Sequence, residues 1–158
     1  MIALITLFVA GHMPVPCTAA HLSGTFKVVP GSAGAGNIVY ELRVRNTSSA
    51  HCFVTGIPGL KLLDRHVEPL PTHAVPARPG AFTAVIVDLA PGKTARATSR
   101  FSPDVPGTGE QTIGRCEPKA YWLRVRPNGG GTFRVPIQPP TSVCEHGGMT
   151  WSVLTGPH

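Results

Sequence analysis

Ile38-Val39-Tyr40-Glu41-Leu42-Arg43-Val44-Arg45 alternates without a break: Ile38, Tyr40, Leu42 and Val44 fall on one side, Val39, Glu41, Arg43 and Arg45 on the other. A period of two marks a β-strand with one face in the core and one in water. Asn46-Thr47-Ser48-Ser49 follows. Such side chains bond to nearby backbone, so a turn is expected there. Asn46-Thr47-Ser48 also fits the N-glycosylation pattern, but shaping the turn is the simpler use of these side chains.

The same punctuation extends in both directions. Upstream, residues 22–29 read as a strand, ended by Pro30 and the flexible Gly31 to Gly36 run. Downstream, 52–55 is a short strand, and Gly56-Ile57-Pro58-Gly59 turns the chain into a strand at 60–63. Residues 69–79 hold prolines 69, 71, 76 and 79, which predicts an irregular edge loop. Residues 82–89 form an apolar strand, and Ala90-Pro91-Gly92-Lys93 is a strong turn signal. Residues 94–101 alternate, with Arg96 and Arg100 outward; 103–115 is a long loop. Alternation returns at 121–126. Asn128-Gly129-Gly130-Gly131 then turns into a strand at 133–137, and 149–154 closes the chain. No window sustains a 3.6-residue apolar period. About nine short strands at even spacing predict an all-β domain, a two-sheet immunoglobulin-like sandwich.

A chain of 158 residues suits one domain, expected over 12–158. Charged residues make up 14% and hydrophobic ones 42%, against about 25% charged in an average soluble protein. That balance argues against disorder. With aromatics at 6%, Val, Ile, Leu and Ala are expected to supply most of the core.

Residues 2–10 are apolar. The run is too short for a membrane span, which needs about 20 residues. It suits the central part of a secretory signal, with cleavage after Gly11, so residues 1–11 are expected to be a signal remnant. No Lys or Arg precedes it, and Val15-Pro16-Cys17 is a poor lipidation site.

Cys17, Cys52, Cys116 and Cys144 are dispersed, and none forms Cys-x-x-Cys, which leaves a zinc ribbon without support. An even count beside an export-like N-terminus favours disulfides. Four cysteines permit three pairings. The one that keeps each bond within half of the chain, Cys17–Cys52 and Cys116–Cys144, is expected. A secreted or cell-surface location follows.

The formal charge is +6, ten Arg and four Lys against eight carboxylates. A basic balance favours anionic partners, although no dense Lys/Arg run exists and solubility alone would account for it. Leu-Arg-Val-Arg occurs twice, at 42–45 and 123–126, each two residues after a tyrosine. Arg43, Arg45, Arg96, Arg100, Arg124 and Arg126 all take outward strand positions. If their strands share a sheet, they form a guanidinium face suited to phosphate or carboxylate polymers.

Signals for catalysis are absent. Seven histidines form neither His-x-x-x-His nor His-Glu-x-x-His, no Gly-x-Ser-x-Gly exists, and the carboxylates are scattered. No metal, no cofactor and no nucleic-acid module is expected. The residues read as a non-enzymatic binding or structural domain whose partner is an anionic envelope component or another exported protein. The alternative is a secreted hydrolase with a site assembled from dispersed residues.

Several features together resemble the exported actinobacterial family catalogued as domain of unknown function 4232. They are Pro16-Cys17-Thr18-Ala19-Ala20 with Leu22, Leu42 through Ser49, Cys52, Gly56-Ile57-Pro58-Gly59, and Leu60-Lys61-Leu62-Leu63-Asp64. Val87-Asp88-Leu89-Ala90-Pro91-Gly92, Cys116 before a strand, and Cys144 with its glycine-rich approach to a closing strand complete the pattern. The resemblance spans about Cys17 to Leu154. It implies an exported or surface-attached β-sandwich with cysteine pairs, and it carries no activity or ligand.

Overall fold

A computed structural model describes residues 13–80 and 85–156. Residues 1–11, read as a signal remnant, and residues 82–84 of the expected apolar strand lie outside this range. Ten strands are present among the described residues: β1 (Leu22–Val28), β2 (Ile38–Asn46), β3 (Cys52–Thr55), β4 (Gly59–Leu63), β5 (His73–Pro76), β6 (Ile86–Leu89), β7 (Thr94–Phe101), β8 (Ala120–Arg126), β9 (Phe133–Thr141) and β10 (Gly148–Trp151).

β2 is the centre of the assembly. It runs antiparallel to β1 from Tyr40↔Val28 to Asn46↔Leu22, and to β7 from Ile38↔Phe101 to Arg45↔Thr94. Its alternation is realised as read: Tyr40, Leu42 and Val44 are buried, while Arg43 and Arg45 are exposed. Phe26, Tyr40, Phe101 and Trp151 pack ring against ring, with centroids 5.1–5.5 Å apart. The few aromatics therefore sit at the heart of a core that Val, Leu, Ile and Ala fill out. Tyr40 Oη donates to Pro139 O at 2.9 Å, which satisfies the one polar atom this ring brings inside.

Eight strands join one sheet in the order β4-β8-β9-β1-β2-β7-β10-β5, and β3 and β6 pair separately. The large sheet is a near-barrel. Its two edges approach each other where Leu62 N donates to Thr72 Oγ1 and Leu70 N to Leu62 O, both at 2.9 Å. Side chains of the small sheet, Cys52, Val54, Val87 and Leu89, belong to the same buried cluster. The molecule is thus nearly all-β. The expected two-sheet immunoglobulin-like arrangement is not confirmed, because parallel pairings of β1 with β9 and of β10 with β5 merge most strands into one sheet. Alternation reports which face of a strand is buried; it carries no information on partners.

Residues 69–79 depart from expectation. They contain β5, paired in parallel with β10 at Gly148↔His73 through Trp151↔Pro76. Proline is tolerated because β5 is an edge strand and needs donors on one side only. β9 likewise runs past the expected end at Ile137, through Pro139 and Pro140 to Thr141, and β10 stops at Trp151.

Both disulfides are present. Cys17–Cys52 (Cα–Cα 4.9 Å) pins the segment before β1 to β3, beside the bond from Cys17 N to Phe53 O. Cys116–Cys144 (5.5 Å) ties the long loop to the turn before β10. Loops of 35 and 28 residues are worth about 3–4 kcal/mol each in the chain-entropy model.

Asn46 closes the end of β2. Its side chain is fully buried. Nδ2 donates to Ala50 O and Leu89 O, both at 2.8 Å, and Oδ1 accepts from Ser48 N and Ser48 Oγ. Its backbone bonds the β6–β7 turn, N to Lys93 O and O from Gly92 N. That turn has Pro91 at its second position and Gly92 at φ 78°, and is closed by Lys93 N donating to Ala90 O; the positive φ is why glycine stands there.

Asn46→Ala is expected to lower unfolding free energy by about 2–4 kcal/mol, since it removes four hydrogen bonds and strands a buried carbonyl. Asn46→Asp is expected to be worse, because a carboxylate would face the carbonyls of Ala50 and Leu89. Urea unfolding of the two variants against wild type measures both the loss and the order.

Candidate functional site

The outward face of β1, β2 and β7 carries side chains at alternate positions whose register is fixed by the ladder. Arg43 stands directly opposite Arg96, with Thr25 on its other side. Arg45 lies between Ser23 and Thr94; Glu41 lies between Lys27 and Thr98. Val39 opposes Arg100, and Arg100 opposes Thr150. Opposed residues on antiparallel strands have Cβ atoms about 4.5–5.5 Å apart. Five cations, Lys27, Arg43, Arg45, Arg96 and Arg100, therefore share three adjacent strands with the single carboxylate Glu41 among the described residues. Arg43 Nε donates to Glu41 Oε1 at 2.5 Å, so even that negative charge is engaged. Ser23, Thr25, Lys27, Glu41, Arg43, Arg45 and Thr94 border an open concavity of about 690 Å³ on this face, with Arg96 and Arg100 outside its lining. Its walls offer hydroxyls and guanidinium groups, the donors that phosphate and carboxylate oxygens accept from.

Arg124 and Arg126 are on the same sheet but elsewhere. They project from β8, three strand spacings from β2, or about 14 Å along a flat sheet. There they join Lys61 of β4 and Arg134 of β9, both cross-strand partners of Arg124, and Lys61, Arg124 and Arg126 border a second concavity of about 460 Å³. Arg134 also stacks over the Trp122 ring, 5.8 Å from its centroid. The six arginines singled out from the sequence thus form two basic groups, with β9 and β1 between them. Lys27, Lys61 and Arg134 complete these groups and were not singled out. Lys27 was within reach, since it continues the outward series Ser23, Thr25.

A second cluster brings Glu110 and Glu117 of the β7–β8 segment against Glu145 and His146 of the turn between β9 and β10. Glu110 Oε2 accepts from Gly107 N at 2.6 Å and Glu145 N at 2.8 Å, and Oε1 accepts from His146 N at 2.5 Å. Glu145 and His146 adopt left-handed angles, φ 57° and 55°, ahead of Gly147 at 77°. Left-handed backbone costs a non-glycine residue about 1–2 kcal/mol. The Glu110 carboxylate and the Cys116–Cys144 bond hold the turn in place against that cost. Burial works to raise the Glu110 pKa, but the N–H groups of His146, Gly107 and Glu145 outweigh it and hold the group below its ordinary value. Glu117 is pushed up, first by burial and then by the charge of Glu110 beside it. His146 Nδ1 lies 3.8 Å from Glu110 Oε1 and 3.7 Å from Glu117 Oε1. No sequence signal marked this cluster, because its members are 7 and 36 positions from Glu110 and lie on irregular chain.

The family model described as "Domain of unknown function (DUF4232)" matches residues 17–153. Neither the curated proteins nor the solved structures include a match.

Facing Arg43 with Arg96 should cost stability, since like charges directly opposite repel. Arg96→Gln is expected to raise the urea midpoint at low ionic strength, by a gain on the order of 0.2–1 kcal/mol. The gain should shrink at 0.5 M salt, where the Debye length falls to roughly 4 Å. Paired urea titrations at the two salt concentrations check this.

Proposed function

The chain belongs to the DUF4232 family, and from that premise we propose that it is an exported, non-enzymatic binding domain whose β1-β2-β7 face takes anionic polymers of the cell envelope. The observation that carries this reading is the Arg43–Arg96 opposition within a group of five cations. A fold that needed only solubility would gain by interleaving charges, as most surfaces do. Here the repulsion is kept, beside a concavity whose walls carry Lys27, Arg43, Arg45 and hydroxyls with Glu41 as the one carboxylate. An anionic chain laid across the three strands would neutralise it, and each guanidinium could hold a phosphate or carboxylate in two-pronged fashion. An immunoglobulin-like sandwich relationship within the family is compatible with this reading and is not required by it.

Two disulfides fit an oxidising, extracytoplasmic setting. Among the described residues, no helix is long and apolar enough to cross a membrane. The rival hydrolase reading has one point in its favour, the paired carboxyls of Glu110 and Glu117. An oxygen of one lies within 4.8 Å of an oxygen of the other, closer than the roughly 5–5.5 Å or more that separates glycosidase carboxyls. Glu110 also spends three of its four acceptor positions on backbone N–H groups. The binding reading is preferred for these reasons.

Long-chain polyphosphate is the probe, measured by retention on an immobilised polymer at low and at 0.5 M salt. Wild type is expected to bind at low salt and elute as salt rises. Arg43→Gln with Arg96→Gln should weaken binding by about tenfold or more, since losing one charged hydrogen bond of about 1.5 kcal/mol already gives that factor. Arg124→Gln with Arg126→Gln should weaken it less. Equal retention of wild type and the Arg43/Arg96 variant at low salt would remove the face as the binding surface.

A further inference from the structure

The geometry points to a binding site for one divalent transition-metal ion of the zinc type, formed by Glu110, Glu117 and His146. Nothing in this inference depends on the basic face, with which it shares no residue.

The donor atoms are already gathered: one oxygen of each carboxyl and one imidazole nitrogen lie within 4.8 Å of one another. Two ligands bound tetrahedrally to zinc at about 2.1 Å are about 3.4 Å apart. The His146 Nδ1 distances of 3.8 Å to Glu110 and 3.7 Å to Glu117 need to close by only a few tenths of an ångström. The ring turned into the cluster is exposed enough, with 61% of its side chain accessible, to admit an ion and to leave room for a water as fourth ligand.

The free valence of each donor fits. A carboxylate has about four lone-pair positions. At Glu110, Oε2 is filled by two N–H donors and Oε1 by one, so the position left over is on Oε1, the atom nearest His146 Nδ1. His146 Nε2 lies 3.1 Å from Thr108 O. A carbonyl can only accept, so Nε2 carries the hydrogen and the neutral ring presents its lone pair on Nδ1. That is the arrangement in which metal-binding histidines are usually held, with the far nitrogen donating to a carbonyl or carboxylate. Glu117 is fixed from behind: Ser142 Oγ donates to its carbonyl oxygen at 2.8 Å, and the neighbouring Cys116 is bonded to Cys144.

Electrostatics supplies an independent reason for a cation. The side chain of Glu110 is 1% accessible and that of Glu117 16%, and the two carboxyls adjoin. Buried charges are expected to be paired or to coordinate a metal. Among the described residues, no Lys or Arg lies within ion-pair distance of either; the neutral imidazole of His146 is the basic group beside them. A divalent ion would neutralise both carboxylates at once. One nitrogen with two oxygens favours zinc and its neighbours over magnesium or calcium, which prefer oxygen alone.

The test is calorimetric titration of the chelator-treated, disulfide-bonded protein with zinc chloride, with thermal melting in parallel. Wild type is expected to bind one equivalent and to melt at higher temperature when loaded. Glu117→Gln and His146→Asn should each weaken binding by about tenfold or more, since even partners outside the ligand shell are worth 10–100-fold. Asparagine is chosen at 146 because it tolerates left-handed backbone, and unchanged circular dichroism of both variants shows that the fold survives. No stoichiometric binding by wild type up to millimolar zinc overturns the assignment. So does unchanged affinity in either variant, which would place the ion at other histidines.

Discussion

The amide of Asn46 is the constraint on which the central sheet depends. It is fully buried at the last residue of β2, and each of its hydrogen-bonding positions has a protein partner in one of three places: the turn after β2, the end of β6, or the residue that begins the climb back. A buried amide left unmatched costs on the order of 1–3 kcal/mol per group, so only the pairing that satisfies all of it survives. That pairing sets where β6 ends and where β7 starts. With β7 so placed, the β2–β7 register follows, and a shift by one residue would turn Tyr40, Leu42 and Val44 outward.

The same register decides what the surface looks like. Because Leu42 faces Ala97 inside, neighbouring positions one step along both strands must face each other outside, and these are Arg43 and Arg96. The core and the cationic face are two readings of one ladder. A sequence selected only for the core could place threonine or glutamate at these outward positions without disturbing Leu42 or Ala97. The choice of arginine on both strands, beside Arg45, Arg100 and Lys27, is what requires an explanation outside folding.

Much of this was legible in the sequence. The burial alternation of β2 and β7, the extents of β3 and β7, the turn at Ala90-Pro91-Gly92-Lys93 and the cysteine pairing all rest on local chemistry that a linear reading can weigh. What escaped it is non-local. Parallel neighbours such as β1 with β9 are separated by more than 100 residues and leave no periodic trace. β5, expected as part of an irregular edge loop, was hidden as a strand by the prolines in and around it, since its pairing with β10 is a property of the sheet and not of the segment. The two groups of arginines could be named but not separated, because their strands look alike and differ only in which neighbours they have.

The cluster at Glu110 was invisible for a related reason, and it shows how the second disulfide does more than shorten the unfolded chain. Cys144 is held by its bond to Cys116 and by its N–H donating to Ser102 O. From that anchor the chain must reach β10 within a few residues, and it does so by a left-handed turn that leaves two successive N–H groups pointing the same way. Such a pair is a seat for an anion, and Glu110 occupies it from 35 residues away. The disulfide places Glu117 beside the same seat, since it follows Cys116 directly. Two carboxyls and an imidazole are thus brought together by the requirements of a tight connection, with the His146 backbone itself held by Glu110. A site built this way is preorganised before any ion arrives, because the strain of the turn is met by Glu110 and not by the ion. It follows that the fold should persist without metal, unlike small domains in which the ion itself supplies the folding energy.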